Sequence, residues 1–244
     1  MDALKSSLKW TMFILFILLQ NTSSAAKTVF VTIDALTLFA DPAHTQSINL
    51  LGTLGNTYIA SHLWHHDESV MLGIGLRTYQ RHQMAMRTSL QFIPYAKVQS
   101  QGDILQLHSP SFRNLSYAYD ITSRFLLVDH AITWTKYSLQ PGVLIGAGGV
   151  SNATSNYYEI PLSNHAAPSS EYFADHAQLQ LAYEVGAVLD LVFKDVSIRA
   201  AYRYLRAGTG RLGLSPLQNT SDYLTTGPID YHALSIGVRF EQTI

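Results

Sequence analysis

Apolar and polar residues alternate along much of the chain with a period of two, which marks β-strands that turn one face toward grease and the other away from it. The clearest run is 230–240, where Leu234, Ile236, Val238 and Phe240 share one face and Ala233, Ser235, Gly237 and Arg239 share the other. The same alternation predicts strands over 28–38, 70–79, 84–97, 115–132, 141–150, 176–188 and 196–205. In 70–79, Val70, Leu72, Ile74 and Leu76 oppose Gly73, Gly75 and Arg77, and in 176–188, Leu179, Leu181, Tyr183 and Val185 oppose Gln178, Gln180, Glu184 and Gly186. In 115–132 the pattern sets Tyr117, Tyr119, Ile121, Phe125 and Leu127 on the greasy side and Asp120, Thr122 and Arg124 on the other. Pro94 cannot donate to a ladder and is expected at a rim or bulge. The length of 115–132 means that this strand either projects beyond the membrane or contains a bulge near Leu126 and Leu127.

The connections between these eight strands run alternately long and short, with long ones at 41–67, 99–114, 151–174 and 207–228. That layout predicts an all-β, eight-stranded antiparallel up-and-down transmembrane β-barrel with both termini at the short-turn end. Before the first strand, Lys5 and Lys9 precede an apolar run, 10–19, that gives way to small residues ending in Ala25 and Ala26. This is the pattern of a secretory leader cleaved after Ala25 or Ala26. The expected organisation is therefore a signal peptide, 1–26, and one barrel domain, 27–244.

Taken together, these features resemble the eight-stranded bacterial outer-membrane barrels of the outer-membrane protein A-like family, whose terminal strand also alternates toward a final Phe. Here Glu241, Gln242, Thr243 and Ile244 follow Phe240. The resemblance implies the outer membrane of a Gram-negative bacterium, a monomer and contact with outer-membrane lipid and lipopolysaccharide. It also implies recognition of Leu234, Ile236, Val238 and Phe240 by the barrel-assembly machinery, and outer loops that could meet a host or surface ligand.

Composition narrows the alternatives. Charged residues are 14% of the chain and mean hydropathy is only +0.07. A soluble domain carries about a quarter charged residues and a helical membrane protein is far greasier. The net charge of −1 gives no footing for nucleic acid, and with no cysteine there is neither a disulfide framework nor a thiolate site. A soluble lipocalin-like binding barrel shares the period, with its apolar face turned inward. Against it stand the Gly, Ser, Ala and Thr of the polar face, and aromatics placed to form interfacial girdles: Tyr95, Tyr117, Trp134, Tyr137, Tyr202, Tyr231 and Phe240.

With the greasy face outward, Asp34, Arg77, Arg87, Asp120, Arg124, Glu184, Arg199, Arg203 and Arg239 form a polar cluster in a lumen only just wide enough for side chains. Such charges must pair, so they predict an ion-pair plug that fixes register, with a narrow gated pore as the alternative. The excess of arginine predicts that some reach water or loop carboxylates. His62, His65, His66, Asp67 and Glu68 are the densest run of metal-ligand types, but in extended chain they do not converge, and neither a metal nor a cofactor is expected. A lipid A-modifying enzyme would need a serine beside a histidine, and the best pair, His232 and Ser235, falls on opposite faces, while Ser109 and Ser111 beside His108 lie in a loop. No enzymatic activity is expected. The sequons at Asn114, Asn152 and Asn219 mark only loop proximity, and Gly146 to Gly149 sits inside a strand, where glycine permits close packing rather than nucleotide binding.

Overall fold

A computed structural model describes residues 28–49, 55–81, 83–162, 173–215 and 220–243; the leader, 1–26, lies outside the described residues. In chain order the strands are β1 (Thr28–Ala40), β2 (Gln46–Asn49), β3 (Gly55–Ala60), β4 (His65–Arg81), β5 (Met84–Gln106), β6 (Arg113–Trp134), β7 (Leu139–Pro161), β8 (Phe173–Ala174), β9 (His176–Phe193), β10 (Val196–Arg206), β11 (Gly213–Leu214) and β12 (Asp230–Thr243). Eight of them close a ring of antiparallel ladders in the order β1, β4, β5, β6, β7, β9, β10 and β12, and β12 returns to β1. Closure leaves no free edge around the wall, the condition for a sheet to sit in hydrocarbon. The residues after Phe240 extend the last strand rather than trailing from it, since Thr243 pairs with Thr28.

Alternation places the greasy side chains outside. Ile236 is 63% exposed and Leu181 is 87% exposed, and Val31, Ile33, Leu72, Ile74, Val143, Ile145 and Leu234 are exposed beside them. On β6 the outward run from Leu126 to Trp134 is nine residues, the length a tilted strand needs to cross a bilayer, about 9–11. One polar member of that run is satisfied locally, with His130 Nδ1 2.9 Å from Thr88 Oγ1. Tyr95, Trp134, Tyr137, Tyr202 and Phe240 are exposed at the ends of the belt, as girdle residues should be. Tyr117 and Tyr231, expected in the same girdles, are instead buried inside.

Three of the expected long loops prove to be largely strand. β5 runs on to Gln106 and β6 begins at Arg113, so the connection expected over 99–114 is a short turn carrying the 3-10 helix Pro110–Phe112. β7 continues to Pro161 through half of the stretch expected as a loop. Within 41–67, β2 and β3 form a hairpin, and β3 adds to the upper end of β5 through Asn56 to Ala60. These segments are rich in Ser, Asn, Gln and Gly because, beyond the belt, neither face of the sheet has to meet lipid.

The register shift between Ile93 and Ala96 contains Pro94, where a missing donor costs nothing. Of the two alternatives for this long strand, the bulge near Leu126 and Leu127 is absent, since these residues pair regularly with Phe92 and Gln91; β6 instead continues past the belt to Arg113, with a register shift between Ala118 and Asp120.

Candidate functional site

The interior is built in two storeys. The lower one, toward the termini, collects charge. Among the described residues it holds five arginines, Arg77, Arg87, Arg199, Arg203 and Arg239, and five carboxylates, Asp34, Asp129, Glu184, Asp190 and Glu241. Inside the barrel the arginines are met by Asp129, Asp190 and Glu241 as well as by Glu184, while Arg124, expected among them, is exposed.

Two nodes organise the cluster. In one, Arg203 Nη1 donates to Glu184 Oε2 at 2.7 Å and to Gln91 Oε1 at 2.9 Å, while Gln91 Nε2 donates to Asp129 Oδ2 at 2.6 Å and Ser89 donates to the same carboxylate. In the other, Asp190 accepts from Arg199 Nε at 3.0 Å and from Arg239 Nη1 at 2.9 Å, with Arg87 Nη1 3.5 Å away. Glu241 binds Arg77 and lies 3.2 Å from Arg87 Nε and 2.8 Å from Arg239 Nε. Each node joins side chains from at least three strands, so the pairs lock the register of the wall as well as cancelling charge.

Asp34 is the exception. It is fully buried, and neither carboxylate oxygen has a hydrogen-bond partner among the described residues. Room for it comes from Gly237 on the neighbouring strand, where a Cβ would collide with Asp34 Oδ1. Gly146 makes the same allowance for Glu184, since a Cβ there would stand 2.6 Å from Oε1.

The upper storey is a dry core. Leu36, Leu38, Met71, Ile93, Val98, Ile121, Phe125, Leu127, Val150 and Tyr231 all point inward and are buried. Aromatic rings cap it, with Tyr58 edge-on to Tyr117 at 5.3 Å and Tyr157 edge-on to Phe173 at 5.0 Å. A polar knot ties the wall together inside this core. Ser123 Oγ donates to Asn152 Oδ1 at 2.7 Å, Asn152 Nδ2 donates to the Ala207 carbonyl at 2.6 Å, and the Tyr231 hydroxyl lies 2.9 Å from Ser123 Oγ. Beyond the belt, burial and then the neighbouring Tyr58 and Glu159 push the Tyr157 hydroxyl well above its ordinary range, so it stays a neutral donor to Glu159.

The dry storey reverses one sequence expectation. Tyr117, Tyr119, Ile121, Phe125 and Leu127 face inward, so Asp120 and Arg124 lie on the outside of β6, where Asp120 pairs with Lys97 at 3.0 Å and Arg124 is exposed. Both faces of this strand are apolar, because Leu126 and Val128 alternate with Phe125 and Leu127, and a period of two alone does not orient such a strand. Asp34, Arg77, Arg87, Glu184, Arg199, Arg203 and Arg239 point into the lumen. Leu234, Ile236 and Phe240 face outward. Asp190 was legible by parity, lying six residues from Glu184, and Glu241 lies two beyond Arg239, whereas Asp129 shares its face with Leu127, which the alternation of 115–132 sets on the greasy side.

A closed ring of eight antiparallel strands, greasy outside and filled inside, decides the architecture. This is the fold of the eight-stranded outer-membrane barrels.

No family model and no curated protein matches the sequence. Among solved structures, the chain is similar to Neisserial surface protein A at 14% identity, TM-score 0.47, covering 87% of this chain and 96% of that one. It is similar to the outer membrane protein OprG from Pseudomonas aeruginosa at 17% identity, TM-score 0.38, covering 91% and 99%. It is also similar to the outer membrane protease OmpT from Escherichia coli at 9% identity, TM-score 0.46, covering 92% and 99%.

Of the remaining candidates, His62 Nδ1 pairs with Asp41 Oδ2 at 2.9 Å, and among the described residues no three His, Asp or Glu side chains converge on one point. His232 faces outward with Nδ1 2.7 Å from the Tyr202 hydroxyl, while Ser235 is buried inside. His108, in the short turn, has Nδ1 2.9 Å from Thr57 Oγ1.

Proposed function

We propose that the protein is a monomeric outer-membrane barrel with a structural or surface-interaction role, its lumen closed to solutes and its outer strands serving as the presenting surface. The observation that carries this is the filled interior. A balanced ion-pair storey below and an aromatic-capped apolar storey above occupy the interior, which supports a closed lumen. The greasy exterior favours membrane over a soluble lipocalin-like barrel, in which Ile236 and Leu181 would be core. A narrow pore would need the apolar storey to part. A lipid A-modifying enzyme would need a nucleophile and base on one face, and His232 and Ser235 are separated by the wall itself.

The described part of the presenting surface is held together by side-chain contacts. The upper parts of β5, β6 and β7 stand beyond the belt, the hairpin of β2 and β3 widens them, and the long connection after β10 is tied back to that hairpin. Gln46 Oε1 accepts from Thr225 N at 3.1 Å, Asp222 Oδ2 accepts from Asn49 N at 3.0 Å, and Arg211 stacks on Tyr223 at 4.7 Å. A surface of this kind suits a ligand on a host or neighbouring cell. Lipopolysaccharide around the belt and the barrel-assembly machinery at the last strand complete the proposed partners. Cell fractionation tests the reading: the protein should partition with the outer membrane and migrate differently on gels before and after boiling. Recovery as a soluble periplasmic species would overturn it.

A further inference from the structure

An unpaired cation stands at the loop-end margin of the belt. Arg124 is exposed and forms no ion pair among the described residues. It lies two residues above Leu126, where the outward apolar run of β6 begins, and across from the β5 bulge that carries the exposed Tyr95. Lys97, opposite Thr122 on the same face, is a second cation; its Nζ is 3.0 Å from Asp120 Oδ2, and Asn156 Nδ2 donates to that carboxylate at 2.9 Å. Two cations therefore face one carboxylate, and the surplus charge is the guanidinium. At the edge of hydrocarbon a guanidinium is best met by an oxyanion that its planar fork can grip with two bonds, and phosphate is such a group.

Directly below this cation the wall is hollowed. Ala147, Gly149 and Ser151 of β7 turn outward in register with Val128, Leu126 and Arg124 on β6, and with Tyr183, Leu181 and Leu179 on β9. Gly149 is the informative member. A Cβ at Gly142, Gly146 or Gly148 of the same strand would collide with a neighbour, whereas at Gly149 the nearest atoms would be the Gln180 carbonyl at 3.8 Å and Leu179 Cδ1 at 3.9 Å. Packing does not demand glycine there, and Leu181 beside it is 87% exposed. The result is an apolar groove between Leu126 and Leu181 that runs up to Arg124.

Resting on the outer-membrane reading above, we infer that this groove and its cation seat one lipopolysaccharide molecule. The upper part of one acyl chain lies over Ala147 and Gly149, and a phosphate on the acylated sugar accepts from Arg124. The loop end of the barrel is the end that meets lipopolysaccharide, and the sign of the charge agrees with its phosphates. A phosphate monoester leaves three oxygens free and carries more charge than the diester of a phospholipid, so a guanidinium with an ammonium group nearby favours the monoester.

The full-length protein, purified from membranes, is placed in nanodiscs of phosphatidylcholine carrying equal parts of diphosphoryl lipid A, the same lipid A stripped of phosphate, and phosphatidylglycerol, and retained lipid is counted by native mass spectrometry. The wild type should keep diphosphoryl lipid A roughly ten-fold over either competitor, the margin of one charge-assisted contact. Arg124→Gln should lose that preference, whereas Lys194→Gln, which removes an exposed charge at the turn end, should keep it. Gly149→Leu, which fills the groove, should lower retained lipid A roughly ten-fold, whereas Ala35→Leu, exposed on the opposite wall, should not. Equal retention of all three lipids by the wild type, or a preference unchanged in Arg124→Gln, means annular lipid only and overturns the seat. Phosphatidylglycerol kept as well as lipid A overturns its assignment to lipopolysaccharide, and lipid A retention unchanged in Gly149→Leu overturns the groove. If Gly149→Leu does not fold, Arg124→Gln decides alone. A protein that never enters the nanodisc fails at the membrane reading instead, which sets the two failures apart.

Discussion

Two buried carboxylates in one lumen should respond very unequally to the same substitution. Asp190 is fully buried and holds Arg199 and Arg239 through separate oxygens, with Arg87 3.5 Å away. Asp190→Asn keeps the shape but leaves Arg199 facing a neutral amide and Arg87 and Arg239 with Glu241 alone. Removing one member of a buried pair costs about 3–5 kcal/mol, because the partner charge stays desolvated and uncompensated. Asp34 is as deeply buried but has no ion pair within reach, only the longer-range field of the lumen arginines. Asp34→Asn therefore gives up little direct attraction and relieves a desolvated charge, and its effect should stay within about 1 kcal/mol. Urea unfolding from lipid vesicles, followed by tryptophan fluorescence, measures both. Comparable losses in the two variants, or a loss under about 1 kcal/mol in Asp190→Asn, would refute the assignment of the cluster's strength to the Asp190 node.

Arg124→Cys should react with a water-soluble maleimide in intact vesicles, whereas Arg203→Cys should react only after unfolding; equal labelling would return Arg124 to the lumen. Phe125→Ala removes a ring packed 5.8 Å from Tyr231 in the dry storey and should destabilise the barrel by about 3–5 kcal/mol in the same urea assay; a change under about 1 kcal/mol would mean the storey is not close-packed.

Much of the wall was legible in the alternation of single strands. β4, β9, β10 and β12 each set large apolar residues against Gly, Ser or charge, so their outward faces follow directly from a period of two. β6 was not legible in that way. Phe125 and Leu127 compete with Leu126 and Val128 for the same lipid, and the choice is made by the interior, where β6 must fill the space above the charged storey and bring Asp129 to Gln91 and Ser89. The strand ends were hidden for a different reason. Above the bilayer the outer face of β5, β6 and β7 has no lipid to meet, and residues such as Gln99, Gln101, Ser151 and Asn152 read as loop because no continuous apolar face identifies them, although Val98, Ile104 and Leu115 pack inward. The balance of charge was missed where parity was not carried far enough, to Asp190 past the expected end of one strand and to Glu241 past the end of another.

A closed barrel conducts no ions, and single-channel recording in planar bilayers measures this. The full-length protein, inserted and shown to be folded by its mobility on unboiled gels, should leave the bilayer current at baseline. Stable, discrete steps of porin size would mean that the apolar storey opens and would contradict the account.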